Sequence, residues 1–68
     1  MNNHVYKQLE LTGSSSVSIE DAVSTAIAKA HETVRGIQWF TLTETRGHVV
    51  EGKVAHWQVS IKIGFTLE

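Results

Sequence analysis

The sequence predicts an α+β fold of order β-α-β-β, a three-stranded antiparallel sheet (order 1-3-2) wrapped around one helix. Three observations carry this prediction. Apolar residues recur at the helical period between Ile19 and Val34. After that stretch, two runs of alternating character meet at Glu51-Gly52, where Gly supplies the positive φ of a two-residue hairpin turn. Before it, a shorter alternating run from Val5 to Leu11 supplies one more strand.

The first run sets Val5, Lys7, Leu9 and Leu11 against Tyr6, Gln8 and Glu10, so one face is mostly apolar. Thr12-Gly13-Ser14-Ser15-Ser16 breaks that pattern and reads as a loop. A Gly-Ser loop ahead of a helix can cradle a phosphate, but this spacing fits no P-loop fingerprint, and a plain connector is the better reading. Ser18-Ile19-Glu20-Asp21 opens the helix, with the Ser18 hydroxyl as cap and two acids in the first turn. Ile19, Ala22, Val23, Ala26, Ile27, Ala30 and Val34 form its stripe over about five turns. Arg35 suits the last turn and Gly36 the stop. A stripe so rich in alanine lets the sheet come close.

From Ile37 the chain turns β-branched and aromatic. Strict alternation assigns Phe40 and Leu42 to the core, and Ile37, Trp39, Thr41, Thr43 and Thr45 to the other face. It leaves Arg46 and His48 on the helix side. The last strand, Lys53 to about Leu67, puts Ala55, Trp57, Val59, Ile61, Ile63, Phe65 and Leu67 on its apolar face. If Val50 pairs with Lys53, then Phe40 meets Ile63, Leu42 meets Ile61, Trp39 meets Gly64 and Thr45 meets Gln58. Gly64 then leaves open space beside the indole. Trp39 and Gln58 share the polar face, yet lie about 20 Å apart along the ladder. A site that uses both is built by two chains. The helical crossover makes the first two strands parallel, so the third must lie between them for the sheet to be antiparallel.

Sixty-eight residues bound the chain to one domain, 1–68, and 41% hydrophobic content makes it globular. It has no Cys, and its four His show no H-x-x-x-H spacing, so disulfides and a structural zinc do not supply stability. Oligomerisation is the remaining source of burial. A net charge of −1 without a basic run argues against nucleic acid, and no apolar run suits a membrane span. The N-terminus has no signal-peptide character, which leads us to expect a cytoplasmic protein. No nucleophile–base pair is evident, and we expect no enzyme.

The order H-V-Y-K-x-x-E-L-x-G-S-S, a helix ending before I-Q-W-F, E-T-R-G-H, E-G-K-V-A-H-W-Q-V and I-G-F-x-L-E resembles the bacterial dodecins. These are small flavoproteins that assemble into hollow dodecamers. The resemblance covers nearly the whole chain and implies a homo-oligomeric, flavin-storing and photoprotective protein. In it, Trp39 stacks on the isoalloxazine ring beside a symmetry-related Trp, and Gln58 bonds the polar edge of the ring. It implies FMN as ligand, with riboflavin or FAD as related ones. Arg46 corresponds to a residue at the phosphate end, although a structural salt bridge is an equal reading for it. His48 on the same side and Gln38, through its backbone, are further candidates. Coenzyme A is a second ligand raised by the resemblance, but Thr66 stands where bacterial relatives often carry Arg. The rival reading is a structural shell or interaction protein with no working flavin site. A flavin-dependent redox enzyme ranks third, since rings stacked between indoles leave a substrate little access.

Overall fold

The computed structural model describes residues 3–67; Met1-Asn2, on which the signal-peptide reading falls, and the closing Glu68 of the family pattern lie outside them. Four elements follow in the order β1 (Tyr6–Ser15), α1 (Ile19–His31), β2 (Ile37–Val50) and β3 (Lys53–Thr66). The sheet order is β1-β3-β2, with both neighbours antiparallel to β3. The β-α-β-β prediction and the 1-3-2 order hold.

β1 runs further than the alternation suggested. Thr12, Gly13, Ser14 and Ser15, read as a loop, continue the strand and pair with Ser60, Val59, Gln58 and Trp57. Gly13 explains the broken pattern. A Cβ there would lie 2.6 Å from the Ala22 carbonyl oxygen and 2.8 Å from the Ala26 Cβ, so the bare backbone is what lets α1 settle on the strand. Ser15 closes the strand and starts the helix. Its hydroxyl donates to Asp21 Oδ2 at 2.6 Å and accepts from the Val17 amide at 2.9 Å. Ser18 then caps α1 by accepting from the Asp21 amide at 3.0 Å.

α1 is shorter than five turns. It ends at His31, and the Glu32 and Thr33 amides donate to the carbonyls three residues back, tightening the exit before Val34. Val34 still packs against the core. The core consists of Ala22, Val23 and Ala26 from α1 against Val59, Ile61 and Ile63 from β3. Leu11 and Ile37 flank it.

Two expectations about the core fail for one reason. α1 packs mainly on β1 and β3, so it covers the inner side of β2 only in part. Phe40 and Leu42, assigned to the core, are 47% and 43% exposed. Trp57, which its place on the apolar face would make core, is half-buried, level with Ser15 and Gly47 and outside the cluster of Val59, Ile61 and Ile63. The result is a long, thin molecule of 56 × 21 × 13 Å. Its radius of gyration is 14.2 Å, whereas a compact chain of this length has about 11 Å.

Candidate functional site

The site residues are placed by three irregularities in the β2–β3 ladder, none of them legible from alternation. The register shifts between Ile37 and Trp39, between Leu42 and Glu44, and between His48 and Val49. Gln38 is the extra residue of the first bulge. It returns Ile37 to the core side, opposite Phe65, instead of the Trp39 face. The Gln38 amide donates to the Gly36 carbonyl at 3.3 Å, holding the bulge beside the strand start.

The second bulge, at Thr43, has the larger consequence. The Thr43 hydroxyl donates to the Ser60 carbonyl at 2.9 Å, and from Glu44 to His48 every side chain changes face. Thr45, expected opposite Gln58, pairs with Val59 on the inner side. Arg46, expected on the helix side, pairs with Gln58 on the outer side. His48 moves with it and pairs with His56. The third shift restores the hairpin register, so Val50 meets Lys53 as expected. Glu51 and Gly52 both carry positive φ, 51° and 75°, which suits the right-handed twist of the strands.

One outer face therefore carries Tyr6, Gln8, Trp39, Thr41, Glu44, Arg46, His48, His56, Gln58 and Lys62. At one end Trp39 pairs with Gly64, as its spacing predicted. The space above Gly64 is not open, however. The indole itself fills it, so that an added Cβ would lie 2.6 Å from Trp39 Cη2 and closer still to Cε2 and Cζ2. Tyr6 meets the indole edge-on, with ring centroids 4.9 Å apart at 68°, a partner that sequence reasoning missed. Trp39 is thus seated flat on β3 and braced on one side, with 37% of its surface still exposed. Its free face is a flat aromatic platform.

At the other end Arg46 gathers three partners. Its guanidinium donates to Gln58 Oε1 at 2.7 Å, to Ser60 Oγ at 3.2 Å and to Glu44 Oε1 in an ion pair. Glu44 was not foreseen, because alternation put it on the inner face. With Oε1 engaged, what the Gln58 amide has left to offer a ligand is its Nε2 donors. The Trp39 platform and the Arg46–Gln58 group remain six rungs of β3 apart, Gly64 against Gln58. That is about 20 Å at the usual strand rise. Beyond Gln58, the His48 and His56 rings stack at 5.2 Å with 14° between their planes.

Fold and face define a small binding protein: a stiff sheet that presents an aromatic platform and, well away from it, an amide–guanidinium group. A dodecin family model matches residues 5–68. The dodecin of Thermus thermophilus is 42% identical over 64 residues, covering 94% of this chain and 93% of that protein. The structure of dodecin from Streptomyces coelicolor superposes with a TM-score of 0.94 at 44% identity, covering 100% of this chain and 97% of that one. A more distant solved relative, at 26% identity and a TM-score of 0.81, is the calcium dodecin of Mycobacterium tuberculosis, described with a novel calcium-binding site; it covers 94% of this chain and 91% of its own. The chain belongs to the dodecin family, whose members are binding proteins rather than enzymes. No helix among the described residues is long and apolar enough to cross a membrane.

Proposed function

We propose that this protein binds FMN, and riboflavin or FAD by the same mode, to store the flavin and shield it from light. The observation that carries the reading is the outward aromatic face of Trp39, fixed flat on Gly64 and braced by Tyr6. An indole held this way loses little freedom when a planar ring stacks on it. Gln58 serves the polar edge of the ring. Because its oxygen is held by Arg46, it meets a flavin carbonyl as a donor.

The separation of Trp39 from Gln58 argues that two chains complete one site, and the elongated, uncovered monomer argues that the chain is made to assemble. The dodecin dodecamer supplies both, with residues 1–68 as one domain. Arg46 has donors suited to a phosphate, which favours FMN over riboflavin. His48 lies next to it on the same face as a further contact, and Gln38 offers backbone groups beside the platform. Coenzyme A is not part of this reading, since Thr66 has no charge to offer. The cytoplasm is the expected location, with neither nucleic acid nor membrane as partner.

Flavin supplies the absorption of visible light. Trp39 would hold the ring by stacking, and its indole, an electron donor that recovers its electron, would let the absorbed energy leave as heat with no net chemistry. The test is a fluorescence titration of flavin-stripped protein with FMN, riboflavin and FAD, run beside native mass. Quenching that saturates near one flavin per chain on a twelve-chain particle supports the reading. Full assembly without quenching would leave a structural shell instead.

A further inference from the structure

We propose that His48 and His56 form a chelating pair for a divalent late first-row transition ion, with Cu2+ bound more tightly than Ni2+ or Zn2+ and water in the remaining coordination positions. The pair exists only because of the bulges. Seven residues separate the two His in sequence, with no ligand spacing, and an unbroken ladder from Val50–Lys53 would set His48 against Ala55. The shifted register between Glu44 and His48 sets it against His56 instead, on the same face of adjacent strands.

The geometry fits a shared ion. An imidazole nitrogen binds such a metal at about 2.0–2.1 Å, so the ring centre lies roughly 3.2 Å from it. Two rings on one ion then have centres about 5.2 Å apart at the tetrahedral angle of Zn2+ and about 4.5 Å apart at the square-planar angle of Cu2+. The observed separation is 5.2 Å. The ring tilt must change, from 14° to an arrangement with one nitrogen of each ring aimed at a common point, and for Cu2+ the centres close by about 0.7 Å. Each ring reaches that by turning about its own side-chain bonds, and room for it exists: His48 is exposed and His56 half-buried. Among the described side chains no hydrogen bond or ion pair ties either imidazole, since the neighbouring Arg46 is engaged by Glu44, Gln58 and Ser60.

Two nitrogen donors select by softness. Imidazole suits copper, nickel and zinc, with copper strongest in the usual order. Calcium, a hard cation that takes oxygen ligands, has no place here. Among the described residues no group of three or more His, Cys, Asp or Glu could hold a metal, which makes this an exchangeable two-ligand site and not a structural one. A bound ion would tie β2 to β3 two rungs from the Arg46–Gln58 group, and it needs no flavin.

The experiment is a Cu2+ titration of the flavin-free, full-length protein, followed by electron paramagnetic resonance. One copper per chain with splitting from two nitrogens is expected, and calorimetry with Ca2+ should show no heat. His48→Gln and His56→Gln should each lose the two-nitrogen signal, while the double variant His4→Gln, His31→Gln keeps it. Should either glutamine variant fail to fold, nuclear magnetic resonance of the wild-type rings decides: Zn2+ should move the His48 and His56 resonances together and leave those of His4 and His31 in place. The proposal is overturned if the single variants retain the signal, if the double variant abolishes it, or if Zn2+ leaves the His48 and His56 rings unmoved.

Discussion

At the scale of single residues, Trp39 and Gly64 act as one unit. The indole lies where a Gly64 side chain would be. Gly64→Ala should therefore keep the strand but push the indole off its seat, seen as a red-shifted tryptophan emission and weakened flavin quenching. Unchanged flavin binding in that variant would mean that the seat of Trp39 does not matter. Trp39→Ala removes the platform itself. Stacking measured by truncation is worth about 1–3 kcal/mol, so flavin affinity should fall by about one to two decades, and the bound flavin should become brighter and bleach faster. Arg46 is read by ligand choice. On the phosphate assignment, Arg46→Ala should lower FMN affinity toward that of riboflavin and change riboflavin affinity little. An equal loss for both would place Arg46 as a support for Gln58 alone. The residue types of this site were legible in the sequence, since Trp39 and Gln58 stood out on a polar face. Their partners were not. Glu44, Ser60 and Tyr6 act through cross-strand neighbours, and which neighbours meet depends on a bulge that alternation does not announce.

At the scale of elements, the junction of β1 with α1 is the place to test. Gly13 touches the Ala22 carbonyl and the Ala26 Cβ, so a side chain there must lift the helix from the sheet. Gly13→Val should destabilise the protein by about 1–3 kcal/mol, in the manner of an overpacked core, measured by urea unfolding. Ser18→Ala removes the helix cap and should cost about 1 kcal/mol, with the Trp39 platform unaffected because it lies on the opposite face of the sheet. The helix itself was plain from its alanine-rich stripe and its cap, and only its last turn was overestimated. The extension of β1 through Ser15 was hidden. Glycine and serine are poor strand formers, and here the edge strand tolerates them because packing on α1 decides the conformation.

For the whole molecule, the shape is the main finding. α1 does not close over Phe40 and Leu42, and between them and its Ile19, Val23 and Ile27 lies an open apolar cleft of about 400 Å3. A partner chain in that cleft would account for an apolar strand face left in water. Leu42→Glu should then split the assembly into smaller species by native mass, with a lower and concentration-dependent Tm. A variant that stayed fully assembled would place the contact elsewhere.

The sequence by itself determined the order of elements, the antiparallel sheet with its last strand in the centre, and the outward Trp39. These follow from periodicity, from a two-residue turn and from the parity rule of a helical crossover, all of which are local properties of the chain. Only the tertiary structure decided which side chains share a face beyond Leu42. A single extra residue in a strand of period two inverts everything after it. That inversion brought Arg46 to Gln58 and His48 to His56, and it is held by a hydroxyl at Thr43 bonding a backbone carbonyl on the neighbouring strand.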